Sequence, residues 1–257
     1  MTIETTLLIL TGFIAGVANA IAGGGTFFTL PVFLAAGLPP IVANASNAVA
    51  VWPAHIIASA GYRDILLQHK RALTKAIIIG LMGALIGAWL LSIIGNERFR
   101  SLIPVLIAVA TLLFALGAPI RNWLTQHPTR AHLSLTQPRL IGVILQLILA
   151  IYGGFFSAGL GVMIMAMLML LGVSDMQLNN AFKNAIASVI STVAILMFIF
   201  SDLVDWHTTL PAFAACFVGG IVGTRWAQRL SAQVLKTIVI LTGVALTLYY
   251  GYRIYVI

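Results

Sequence analysis

Residues 179–200 read NNAFKNAIASVISTVAILMFIF. From Ala185 to Phe200 there are sixteen residues without a charge, and Lys183 stands just before them among the amides of Asn179, Asn180 and Asn184. Uncharged runs of this kind recur along the 257-residue chain, which is 61% hydrophobic and only 8% charged, against about 25% charged residues in soluble domains. Mean hydropathy is +1.06. Such a chain cannot cover a water-facing surface, and its runs are long enough for a hydrocarbon core of about 30 Å. The pattern predicts an all-α, polytopic membrane protein.

Eight long apolar segments are expected at roughly 4–22, 42–61, 75–95, 101–118, 139–157, 180–200, 207–226 and 235–254. Two shorter ones, 26–36 and 162–172, each follow a glycine cluster and read as broken or re-entrant helices. Ala18-Asn19-Ala20 looks like a small-residue cleavage site. The only early charge, however, is Glu4 and not a basic cluster, so a retained first helix is expected.

The polar stretch 119–138 separates two expected membrane repeats, 1–118 and 139–257. Ala22, Gly23 and Gly25 recur as Ala158, Gly159 and Gly161; Asn44-Ala45 recurs as Asn180-Ala181; Gly83 and Gly87 recur as Gly219 and Gly223. The offset is constant (158 − 22 = 180 − 44 = 219 − 83 = 136). Basic residues bear on orientation. If the repeats are inverted, Arg63, Lys70, Arg71, Lys75, Arg121, Arg130, Arg139, Arg225, Arg229 and Lys236 share one side, and Arg98, Arg100 and Arg253 the other. A parallel arrangement divides them less sharply, so inverted repeats are preferred.

The net charge of +8 is not a nucleic-acid footprint, because most Lys and Arg lie in short connections between apolar runs. The lone Cys216 offers no disulfide framework and no cysteine metal site, and no cofactor is expected. The six acids, Glu4, Asp64, Glu97, Asp175, Asp202 and Asp205, all fall in connections or at helix ends. With no interior carboxylate, a single Cys and His55 as the only histidine well inside an apolar run, an enzyme is not expected.

Three groups of residues could hold a solute. In IAGGGTFF (21–28), Gly23, Gly24 and Gly25 interrupt a helix ahead of Thr26; Gly159 and Gly161 repeat the break. A short helix after such a break presents free N–H groups and a positive dipole end, which suit an anion. Discontinuous helices at matched positions of two repeats point to a transporter's binding site. Next, NASN (44–47) places Asn44, Ser46 and Asn47 at the start of a helix, with His55 on nearly the same face as Asn47. In the other half Asn180, Asn184, Ser188 and Ser191 form a polar stripe. Interhelical hydrogen bonding alone would also account for such amides. Lys183 either snorkels to the interface or faces a cavity and neutralises an anion.

The glycine triplet that closes the first helix, the short apolar piece with Pro31 and the Asn-Ala helix start in each half together resemble the TauE/SafE sulfite exporter family over essentially the whole chain. Leu160 departs from a full second triplet. The resemblance implies a multi-pass permease of the bacterial plasma membrane for sulfite, sulfonates or other small sulfur-containing organic anions. The expected partners are thus a small anion and the lipid bilayer; coupling to a proton or another ion and homo-oligomer formation are compatible with the sequence. An anion channel and a membrane scaffold or assembly protein without transport are the alternatives.

Overall fold

The computed structural model describes residues 3–21, 24–126, 140–173, 175–226 and 232–256. Ala22, Gly23, the connection with Arg130 and Arg139, and Arg229 lie outside the described residues. The described chain is helical throughout. Its elements are α1 (Ile3–Ile21), α2 (Thr26–Ala35), α3 (Pro40–Ala60), α4 (Arg63–Gln68), α5 (Lys70–Ile94), α6 (Asn96–Gln126), α7 (Leu140–Phe155), α8 (Leu160–Leu170), α9 (Met176–Phe200), α10 (Trp206–Trp226) and α11 (Ala232–Tyr255).

Each of the eight expected long segments coincides with a helix, and each short one with α2 or α8. Seven helices (α1, α3, α5, α6, α9, α10 and α11) contain stretches long and apolar enough to cross a membrane. The eighth, α7, has 16 described residues, about 24 Å at 1.5 Å per residue. Large apolar side chains such as Leu112, Ile148, Phe200, Leu241 and Leu248 are exposed on the outside, as a lipid-facing surface requires. The short α4 carries the start of the basic connection after α3.

Lipid tails are as apolar as leucine, so helices in a bilayer associate through packing and not by escaping water. Here the packing runs through glycine. Gly12 lies against Ala212, Gly16 against Cys216, Gly219 and Gly220, and Gly223 against Val17 and Ala20. These contacts advance together along both helices, so α1 and α10 lie side by side in the same direction. The α5–α7 pair is built alike: Gly83 meets Ala150, Gly87 meets Ile151 and Phe155, and Gln146 Nε2 donates to the Ala76 carbonyl at 2.6 Å. The small-residue spacings at 83/87 and 219/223 thus serve close helix contact. Cys216 is a buried packing residue in the α1–α10 seam.

Two other pairs run in opposite directions. Trp52 Nε1 donates to Thr192 Oγ1 at 2.9 Å, and Ser188 Oγ to the His55 carbonyl at 2.9 Å, so α3 and α9 are antiparallel. Lys236 Nζ donates to the Ala115 carbonyl at 3.1 Å and Tyr255 OH to the Ser101 carbonyl, so α6 and α11 are antiparallel. In both pairs the partners are the helices whose residues differ by 136 in number. Trp52 is therefore a packed, hydrogen-bonded residue of the helix interior and not an interfacial anchor.

Asp205 ties the start of α10 to α3. Its backbone N–H donates to Ser46 Oγ at 3.0 Å, and its Oδ1 accepts from the Thr208 N–H at 2.9 Å and the Thr208 hydroxyl at 2.7 Å. Those two bonds from Thr208 hold the Asp205 carboxyl below the ordinary carboxylate range, with His207 adding to the effect. Because the folded-state pKa is lowered, the stabilisation is present above the unfolded value and fades as pH falls through the folded one.

Two outcomes follow for stability. A methyl at Gly16 would stand 2.7 Å from the Gly220 backbone nitrogen, whereas one at Gly251 meets nothing within 4 Å. Gly16→Ala should therefore lower the melting temperature of the detergent-solubilised protein, through overpacking of about 1–3 kcal/mol, while Gly251→Ala leaves it unchanged. Asp205→Ala should cost about 1 kcal/mol at neutral pH, as the loss of a helix cap does. Melting curves of both proteins should converge as pH is taken below about 4, the ordinary carboxylate value.

Candidate functional site

The two broken helices meet. α1 ends at Ile21 and α2 begins at Thr26, with Gly24 at φ +85° between them. On the other side α7 ends at Phe155 and α8 begins at Leu160, after Gly159 at φ +74°. Positive φ is open to glycine and strained for most other residues, so the breaks fall where the sequence supplies it. Gly24, Thr26, Gly159 and Gly161 all border one small cavity. Its volume is about 20 Å³, room for about one water molecule.

Each break leaves backbone donors over. At α2, Asn19 Oδ1 accepts from the Gly25 N–H at 2.7 Å, and the N–H groups of Phe27 and Phe28 turn back to Gly24 and Gly25. At α8, Leu160 bonds back to Ser157, and Val162 and Met163 to Gly159. Among the described residues, the Thr26 and Gly161 N–H groups have no such partner. A helix start leaves its first N–H groups without intrahelical acceptors, and the two residues concerned, Thr26 and Gly161, both line the cavity.

Side chains add further donors. The Gly25 N–H requires an acceptor, which fixes the Asn19 amide with Oδ1 toward Gly25 and leaves Nδ2, 91% buried with its residue, without a partner among the described residues. Ser157 Oγ is likewise buried and unpartnered. Both residues line the cavity, with His55, Lys183 and Asn184. Lys183 is only 9% exposed, and no hydrogen bond or ion pair engages its ammonium among the described residues. It sits in the second turn of α9, whose start is capped by Asp175 Oδ1 accepting from the Leu178 N–H at 2.8 Å. Burying an unpaired ammonium costs several kcal/mol unless a counter-charge or strong hydrogen bonds compensate. The cavity is therefore rich in donors and holds no carboxylate.

Of the residues singled out from sequence, Gly24, Thr26, His55, Gly159, Gly161, Lys183 and Asn184 come together here. Gly25 stands just behind, with its N–H held by Asn19. Gly23 lies outside the described residues. The NASN group lies elsewhere and is largely engaged by protein. Asn44 Nδ2 donates to the Phe155 carbonyl at 3.1 Å, Ser46 Oγ accepts from Asp205, and Asn47 Oδ1 accepts from the Thr29 hydroxyl. Asn180 is half-buried and does not border the cavity, whereas its neighbour Asn179 is fully buried and donates from Nδ2 to the Met165 and Val173 carbonyls. Ser188 holds the His55 carbonyl.

Sequence reasoning passed over Asn19 and Ser157. A lone amide in the last turn of an apolar helix, directly before a glycine triplet, was the available signal for Asn19. Ser157 had only its place before the second break.

The chain matches the family described as sulfite exporter TauE/SafE over residues 8–250. It is 28% identical over 245 residues, 94% of this chain and 90% of the relative, to "Probable membrane transporter protein ORF9" of Sinorhizobium sp.. A "Probable membrane transporter protein" of Haemophilus influenzae is 24% identical over 94% of this chain and 92% of its own length. One from Xylella fastidiosa is 26% identical over 98% of this chain and 97% of its own length. No solved structure matches the chain. With the bundle, the paired helix breaks and these likenesses in agreement, the chain belongs to the sulfite exporter TauE/SafE family of multi-pass membrane transporters.

Proposed function

We propose that this transporter carries small oxyanions, sulfite and sulfonates foremost, through the cavity at the two helix breaks. The observation that carries the reading is the Lys183 ammonium, buried with no carboxylate partner among the described residues, in a cavity lined by donors that likewise have no acceptor among them. An oxyanion has what that cavity lacks: negative charge and several acceptor atoms. Lys183 supplies the charge, while Asn19 Nδ2, Ser157 Oγ, Asn184 and the Thr26 and Gly161 N–H groups supply directional donors. Bonds of this charge-assisted kind are the stronger class. The sulfur chemistry rests on the family's description, which names sulfite.

The mode of transport proposed is alternating access by two inverted repeats, 1–118 and 139–257. The reading is supported by the antiparallel course of α3 against α9 and of α6 against α11, since these are counterparts at the 136-residue offset. Each repeat's first helix also locks onto the other repeat's glycine-bearing helix, α1 on α10 and α7 on α5, so the halves are interleaved. Rocking of one half against the other around a fixed site is the motion such repeats support.

In proteoliposomes, Lys183→Gln should reduce sulfite flux about 10- to 100-fold at subsaturating concentration, the loss expected of one hydrogen bond to a charged group. Unchanged flux at equal protein content would remove the lysine from the mechanism. Asn19→Asp is a sharper probe. It keeps the acceptor for the Gly25 N–H but exchanges the free donor for a negative charge, so the protein should fold and insert normally while losing sulfite protection in a thermal-shift assay.

A further inference from the structure

Three cavities are ranged along α2. Thr26 borders that cavity and also a second, apolar one shared with Leu30 and Pro31. Pro31 and Leu246 in turn border both this second cavity and a third, much larger one of about 430 Å³ between α2, α6 and α11. Thr26 thus stands between the first two spaces, and Pro31 and Leu246 between the second and the third. The last is a vestibule, and its wall carries two guanidinium groups, Arg100 from the second turn of α6 and Arg253 from the last turn of α11. The antiparallel course of those helices puts both at the same end.

Neither arginine is spent on the fold. Both are exposed. Arg253 donates to the Tyr249 hydroxyl at 3.2 Å, and no carboxylate pairs with either one among the described residues. In an inverted arrangement Arg98, Arg100 and Arg253 form the basic-poor side, opposite the ten Lys and Arg that mark the cytoplasmic face. Orientation therefore does not explain two unpaired guanidinium groups in a single cavity there.

We propose that this vestibule is the non-cytoplasmic mouth of the transport route, and that Arg100 and Arg253 hold the small oxyanion there, between bulk water and the Lys183 site. It rests on the anion-transport reading above and adds to it a second binding station and a path. The planar, multi-donor guanidinium suits a sulfonate or sulfite oxygen pair. The apolar neck at Leu30 and Pro31 separates this station from the inner one.

The test reads charge selectivity at the mouth without relying on transport. Ala35, exposed and on the vestibule wall, is replaced in Ala35→Cys on a Cys216→Ala background. In proteoliposomes, a sulfonate-bearing methanethiosulfonate reagent should modify Cys faster than the trimethylammonium reagent by roughly 10-fold, relative to a free thiol, as local fields of this kind allow. Adding Arg100→Gln and Arg253→Gln should bring the ratio to unity. Millimolar sulfite should protect the thiol. No preference for the anionic reagent, or one that survives both substitutions, would overturn the proposal. Protection by phosphatidylglycerol vesicles but not by sulfite would assign the groove to a lipid headgroup and also overturn it. Loss of the Lys183→Gln flux effect with this selectivity intact would instead count against the inner site alone.

Discussion

An interrupted helix inside a bilayer leaves backbone N–H groups that neither its own turns nor the lipid can satisfy. This chain contains two such interruptions, at Gly24 and Gly159, and much of the rest can be understood as their accommodation. The breaks must be shielded from lipid, which requires neighbouring helices to come close. Glycine at 12, 16, 83, 87, 219 and 223 allows that approach, since a side chain at most of these positions would collide with facing backbone. Asn19 then meets one N–H directly, through its bond to Gly25. Residues of both breaks, Gly24, Thr26, Gly159 and Gly161, then line one space beside Lys183.

The asymmetry between the halves bears on chemistry. At the 136-residue offset, Asn47 corresponds to Lys183 (183 − 47 = 136). Asn47 Oδ1 accepts from the Thr29 hydroxyl and its buried Nδ2 has no partner among the described residues, whereas Lys183 borders the cavity. Two symmetrical sites would each need their own charge. A single lysine, with the other half contributing Asn19, Gly24 and Thr26, makes one site out of both halves. Leu160, which stands where Gly24 does in the first half, borders the cavity as well and narrows it from the second side.

Much of this was legible in the sequence, and the exceptions have physical causes. Apolar length and glycine position identify helices and breaks because both are properties of the chain alone: a bilayer fixes how long a span must be, and positive φ selects glycine. The partner of a polar side chain is a different kind of fact. Asn44 and Ser46 carry the same amide and hydroxyl chemistry as Asn184 and Ser157, yet the first two meet protein groups more than a hundred residues away, Phe155 and Asp205. Nothing local distinguishes them. Asn179 and Asn180 make the same point at closest range, since one helical step of 100° decides which amide is buried against α8. At Asn19 the flanking Ala18 and Ala20 mimic a processing signal, while its bond to the Gly25 N–H, six residues ahead, has no local sequence signature.

The dimensions of the inner and outer spaces carry the argument one step further. The Lys183 cavity holds about one water, while the vestibule beneath Arg100 and Arg253 is some twenty times larger (430 against 20 Å³). A sulfite ion, the proposed solute, has a sulfur and three oxygens and needs more room than the inner cavity offers. In the proposed anion-transport reading, admitting the ion means widening the space between the N-terminal ends of α2 and α8. Those ends follow directly on the two breaks, while α1 and α7 are packed into the glycine seams. A ligand shifts such an equilibrium only by the difference in its affinity for the two states. In the proposed mechanism that difference comes from the Lys183 ammonium and the donors without partners among the described residues, which gain acceptors when an anion enters. In that mechanism the same groups that make the small inner cavity costly make its widening dependent on the solute.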